Sequence, residues 1–184
     1  MRIWHRLIPL LAVAAILTGT GITAAQAKSH TVSAGIYVQE KSNWCWAAAS
    51  RTIIHHITGT AASQCKLVEW GKDTSSCANV TGSFGKNVSQ ALAKGGVGNV
   101  GTFGAFTISY SYLQGELDAG RLVMIRWAWS TGGGHMLVLR GYDTSTSTVS
   151  FVNPEKSAFQ SDTYDHIVQF STHTWTHTRY DISS

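Results

Sequence analysis

The chain reads as an α+β protein, with a helical first half packed against a largely antiparallel sheet. Two observations predict this. Up to residue 119 the apolar residues recur at three- and four-residue steps, the spacing of one helix face. Beyond Gly120 they alternate or run continuously in short stretches separated by turn residues, as strands do. Helices first and strands afterwards segregate into two packed parts with room for a site in the cleft between them.

The first segment is not part of that fold. Arg2 and Arg6 accompany the apolar run LIPLLAVAAIL (residues 7–17), and Ala25-Gln26-Ala27 offers a small-x-small cleavage site. This is the pattern of a secretory signal peptide over residues 1–27, which leaves one domain at 28–184, long enough to bury a core. The apolar run is shorter than the roughly 20 residues of a membrane span, so the cut protein is expected outside the cell and free of the membrane. The formal net charge of +4 halves when Arg2 and Arg6 leave. No basic stripe remains for nucleic acid, and a monomer is expected.

Helices come next. Trp46, Ala49, Ile53 and Ile57 place a helix over 45–57, with Ser42 and Asn43 as caps and TGTAAS as its end. Shorter helical patterns follow at 64–70, 88–94 and 111–119. Strands are expected at 121–130, 135–143, 148–153, 164–170 and 174–182, most simply as a meander.

Three cysteines in an exported chain leave one over. Cys65 and Cys77 lie twelve apart across a polar loop and can close a ring, which leaves Cys45 free. A free thiol at a helix start sits in the positive end of the helix dipole, where a thiolate is favoured. A thiolate nucleophile needs a base, most often histidine. His55 and His56 lie about 15 Å along the same helix at 1.5 Å per residue, too far to serve. His135 follows TGGG and opens the apolar strand MLVLRGY, where the glycines remove bulk from a site that must face a cleft. Asp143 is about 26 Å away along that strand, which excludes it as the partner that orients the ring. Asn153 ends the next strand, and a three-residue loop at 143–145 would set it directly opposite His135. Gln39, six residues before Cys45, and the Cys45 backbone N–H could together donate to an oxyanion. Trp127 and Trp129 share a strand face as core, with one able to line the cleft. His173 and His177 are about 13 Å apart on one strand, too far to share a metal, and no cofactor is expected.

Gln39 followed by Cys45 in WCWAA, then GGHMLVLRGYD and FVNP, resembles the papain-like cysteine peptidases. The likeness is to their compact secreted bacterial branch, which includes staphopains and type III effectors. It spans residues 36–181, and SQCKLVEW through VSQALAKGG is similar to that branch's segment after the nucleophile helix. The resemblance implies a papain-like fold, with the site between a helical half and a C-terminal antiparallel sheet or half-barrel. It implies Cys45 as nucleophile, His135 as base and acid, Asn153 as orienter and Gln39 as oxyanion donor, acting on a protein or peptide substrate. Two other readings stay open at this point. One is an amidase or transpeptidase with the same residues, and the other is a catalytically silent binding module on this fold.

Overall fold

A computed structural model describes residues 27–184. The signal-peptide expectation for 1–27 falls almost wholly outside the described residues. The helical half contains α1 (Cys45–Thr58), α2 (Gln64–Lys72), α3 (Lys86–Lys94) and α4 (Tyr110–Asp118). Its last three members match the sequence pattern to within two residues at either end. Side chains cap two of them in the usual way, Ser63 Oγ accepting from Lys66 N–H and Ser109 Oγ from Tyr112 N–H.

The sheet is built from β1 (Ser29–Thr31), β2 (Thr102–Gly104), β3 (Val123–Trp129), β4 (Gly134–Asp143), β5 (Thr148–Val152), β6 (Gln160–Thr163), β7 (Gln169–Phe170) and β8 (His173–Tyr180). Its order is β2-β8-β3-β4-β5-β6, all pairs antiparallel, with β1 added to β4 and β7 to β8. β1 continues the β3 side of β4 where β3 has ended, pairing Ser29 with Asp143 and Thr31 with Gly141. Gly141 permits this approach, since a Cβ there would lie 2.7 Å from Thr31 Oγ1. The architecture is the α+β one expected, a helical N-terminal half on an open antiparallel sheet.

Three expectations are corrected. The segment 164–170 is not a strand but a short helix, α5 (Tyr164–Val168), followed by β7. Thr163 Oγ1 caps that helix by accepting from His166 N–H, and Ile167 alone in it is buried. The apparent alternation was therefore a helix turn with one inward residue. β6 went unseen because its sequence QSDT is polar and half-exposed, an edge strand with no apolar face to announce it. The β4–β5 turn is longer than three residues. Asp143 pairs with Thr148, Ser147 adopts φ 53°, and a bulge at Arg140 shifts the register so that Val138 faces Val152.

A single apolar core joins the halves, to which α1 contributes Trp46, Ala49 and Ile53 and β4 contributes Leu137 and Leu139. Arg179 of β8 is fully buried within this junction. Its Nη1 donates to Val100 O (2.8 Å), and its Nη2 to Phe84 O (2.8 Å) and Ser89 Oγ (2.9 Å). The guanidinium lies between the rings of Phe84 and Phe103, at 5.8 and 4.6 Å from their centroids. Burial draws its pKa down to about 10, which still leaves it cationic at neutral pH. Trp44 and Trp46, on either side of Cys45, are both buried. Their indole N–H groups donate to Ala78 O (3.0 Å) and Val80 O (3.1 Å). That loop follows directly on the Cys65–Cys77 disulfide, so the helix start rests on a covalently tied segment.

Candidate active site

A cleft of about 380 Å³ opens where the start of α1 meets the start of β4. Cys45, first residue of α1, and His135, second residue of β4, both line it. Cys45 is the free thiol of the chain. Ser42 and Asn43 do not cap α1 as expected, and the helix has no side-chain cap. Both are drawn instead to Asn79, whose Nδ2 donates to Ser42 Oγ (2.9 Å) and whose Oδ1 accepts from Asn43 N–H (3.0 Å). The first-turn N–H groups of α1 thus have no side-chain acceptor at the cap.

His135 is 3 % exposed. The turn before it runs through Gly132 (φ +96°) and Gly133 (φ +82°), a backbone path that strains any residue with a Cβ. Trp129 stacks on the imidazole at 5.7 Å, while Trp127 is core, stacked on His173 at 3.7 Å. One tryptophan of the pair therefore lines the cleft and the other does not. His135 Nε2 bonds Asn153 Oδ1 at 2.8 Å. Asn153 is one residue past Val152, which faces Val138. The two side chains thus meet on a diagonal rather than directly across, and the hydrogen bond spans the offset. Nδ1, the other ring nitrogen, lies 3.9 Å from Glu155 Oε1.

The electrostatics oppose charge separation at rest. Burial pushes the Cys45 thiol up, against the backbone N–H groups of Met136 and Trp46, which face the sulfur and favour the thiolate. Burial also pulls His135 down, against its bond to Asn153 and the Glu155 carboxylate. The helix-end preference for a thiolate is present but outweighed. Burial thus favours the neutral form of each group, against the partners that favour the charged one.

Gln39 is not aligned with the other three. Its Nε2 donates to Lys41 O (3.2 Å) and Ser42 O (2.9 Å), its Oε1 is buried without a partner, and it does not line the cleft. Its backbone N–H donates to Pro154 O (2.8 Å), which ties the segment before Cys45 to the turn after Asn153. The two histidines of α1 stand apart. His55 packs on Tyr37, and both ring nitrogens of His56 face carbonyl oxygens, of Ser33 and Gly120.

Four residues at the site carried no clear sequence signal. Arg126 lines the cleft from β3, its Nη1 on Thr176 Oγ1 and its Nη2 on Gly133 O, both at 3.0 Å. Thr81 and Glu155 complete the rim. Gln160 Oε1 accepts from Asn153 Nδ2 at 2.9 Å. Of these only Glu155 had a cue, its place two residues after Asn153. Cys65, Glu69 and Cys77 bring a carboxylate within 4.0 Å of both sulfurs, but with the sulfurs joined in a disulfide they are not thiolate ligands.

No helix among the described residues is long and apolar enough to cross a membrane. A search of curated proteins returned no match. Residues 26–171 match the family model described as papain-like cysteine protease AvrRpt2. That match takes in α1, β4, β5 and the whole cleft between them, and the chain belongs to this family of cysteine-type peptidases.

Proposed function

We propose that the protein hydrolyses peptide bonds by way of an acyl-thioester on Cys45. His135 Nδ1 accepts the thiol proton as the sulfur attacks the scissile carbonyl carbon, and the carbonyl electrons move onto oxygen. Collapse of that oxyanion expels the amine, which takes the proton back from His135. Water then attacks the thioester with the same imidazole as base, releasing the acid and restoring the thiol. Asn153 holds the ring by accepting from Nε2–H. The observation that carries the reading is the 2.8 Å bond between His135 and Asn153, which commits Nε2 and leaves Nδ1 for the cleft shared with Cys45.

The oxyanion donors in this reading are the backbone N–H of Cys45, at an uncapped helix start, and the Gln39 amide. Gln39 contributes only by releasing one of its two carbonyl acceptors, so its role is the most demanding of the four. Export fits the disulfide Cys65–Cys77, and the protein is read as a secreted monomer acting on protein or peptide, not on nucleic acid. Hydrolysis of fluorescently labelled casein tests the reading. Wild type should release fluorescence, while Cys45→Ala and His135→Ala should not. Release by Cys45→Ala equal to wild type would end it.

A further inference from the structure

Asn153 is 8 % exposed, and an amide in that setting works only one way round. Its Oδ1 accepts from His135 Nε2–H (2.8 Å) and from Glu155 N–H (3.0 Å), and its Nδ2 donates to Gln160 Oε1 (2.9 Å). A turn of the amide by 180° would set its NH₂ against the Glu155 N–H and, unless the Gln160 amide turned with it, its oxygen against the Gln160 oxygen. Such a state leaves buried polar groups facing like partners. The orientation of the Asn153 amide in turn decides the tautomer of His135. Oxygen toward the ring demands hydrogen on Nε2 and leaves the lone pair on Nδ1, the nitrogen on the cleft side. The hairpin between β5 and β6 supplies this arrangement, since Phe151 pairs with Gln160 and Asn153 follows two residues later.

We propose that Gln160 is a positioning residue for this peptidase: by accepting from Asn153 Nδ2 it fixes the amide, and through it the Nε2–H tautomer of His135. The proposal rests on the reading of His135 as the base, and it deepens that reading by adding a fourth side chain to the Cys45, His135, Asn153 series. Gln160 touches neither substrate nor sulfur. Its effect reaches the chemistry through two hydrogen bonds.

The test uses two readouts on the same variants. Two-bond ¹H–¹⁵N correlation spectra of ¹⁵N-histidine-labelled protein report the His135 tautomer, and labelled-casein hydrolysis reports kcat and KM. Gln160→Glu keeps the acceptor and should keep both the Nε2–H tautomer and the rate within about twofold. Gln160→Ala should give a mixed tautomer and a kcat lower by about tenfold with KM unchanged, a fraction of what general-base catalysis supplies. Asn153→Asp alone lets the Gln160 amide turn and donate, whereas Asn153→Asp with Gln160→Glu sets two carboxylates together. The double variant should be slower than Asn153→Asp alone by about tenfold, and equal rates in the two would count against the coupling. An unchanged tautomer in Gln160→Ala overturns the proposal, whether or not the rate falls. A changed tautomer with an unchanged rate leaves Gln160 in place and overturns His135 as base.

Discussion

The two walls of the cleft are held by different physics. On the helical wall Cys45 is placed by packing: two buried tryptophans, their bonds to Ala78 and Val80, and a disulfide just behind. On the sheet wall His135 is placed by a polar chain through Asn153 to Gln160, with Glu155 at the other nitrogen. A packed wall fixes where an atom sits and resists change in volume. A hydrogen-bonded wall fixes which atom carries a proton, and it responds to single polar substitutions. Changes on the first wall should therefore cost stability, and changes on the second should cost rate.

The largest effect should come from the thiol and the imidazole that line the cleft. Cys45→Ala and His135→Ala should each lower casein hydrolysis by about a thousandfold or more, with melting temperature nearly unchanged. His55→Ala and His56→Ala should retain the rate, and a comparable loss from either would mean that the base has been misassigned. Trp46→Ala probes the packed wall. Emptying a fully buried indole site costs about 3–5 kcal/mol, read by denaturant unfolding, and activity should follow the folded fraction. A variant that is stable yet inactive would show that the helical wall is more than a support.

Removing the tie behind that wall, as Cys65→Ser with Cys77→Ser, opens a ring of twelve-residue separation and should cost about 3 kcal/mol in the chain-entropy model. Gln39→Ala should lower kcat about a hundredfold with KM little altered. Loss of stability with kcat intact would leave Gln39 as a loop tie through Lys41 and Ser42. Glu155→Gln should be the smallest change. The carboxylate favours the protonated imidazole and opposes the thiolate, raising both groups. Its removal lowers both, so both limbs of the pH–rate profile should move to lower pH. The shift is muted because Glu155 is half-exposed and screened by solvent. A profile that moves upward would contradict the 3.9 Å approach to Nδ1.

Legibility divides along the same line. The helical wall was readable because a 3.6-residue apolar period and glycine stops are local, and α1 begins at the residue the pattern indicated. The contact between His135 and Asn153 was anticipated with the wrong register, because the Arg140 bulge and the longer turn leave no mark on the alternation. Two long polar side chains absorbed the error. Gln160 was not readable at all, since its relation to Asn153 exists only once a polar edge strand folds back. The same holds for Arg126, which reaches Gly133 O across Gly134, where a Cβ would lie 2.4 Å from its Nη2.

Arg179 bears on how the cleft can move. Its charge is held by carbonyl and hydroxyl oxygens from the α3 side and by two aromatic rings, with no carboxylate among its bonds. Added salt has little to screen there, and drawing the halves apart would drag an ionised group through an apolar layer. The two halves are thus riveted rather than hinged. Amide hydrogens of α3 and β8 should exchange with solvent in one cooperative unit at the free energy of global unfolding. Adjustment to substrate then falls to the rim segments around Thr81 and Glu155, while the walls behind them keep a constant separation.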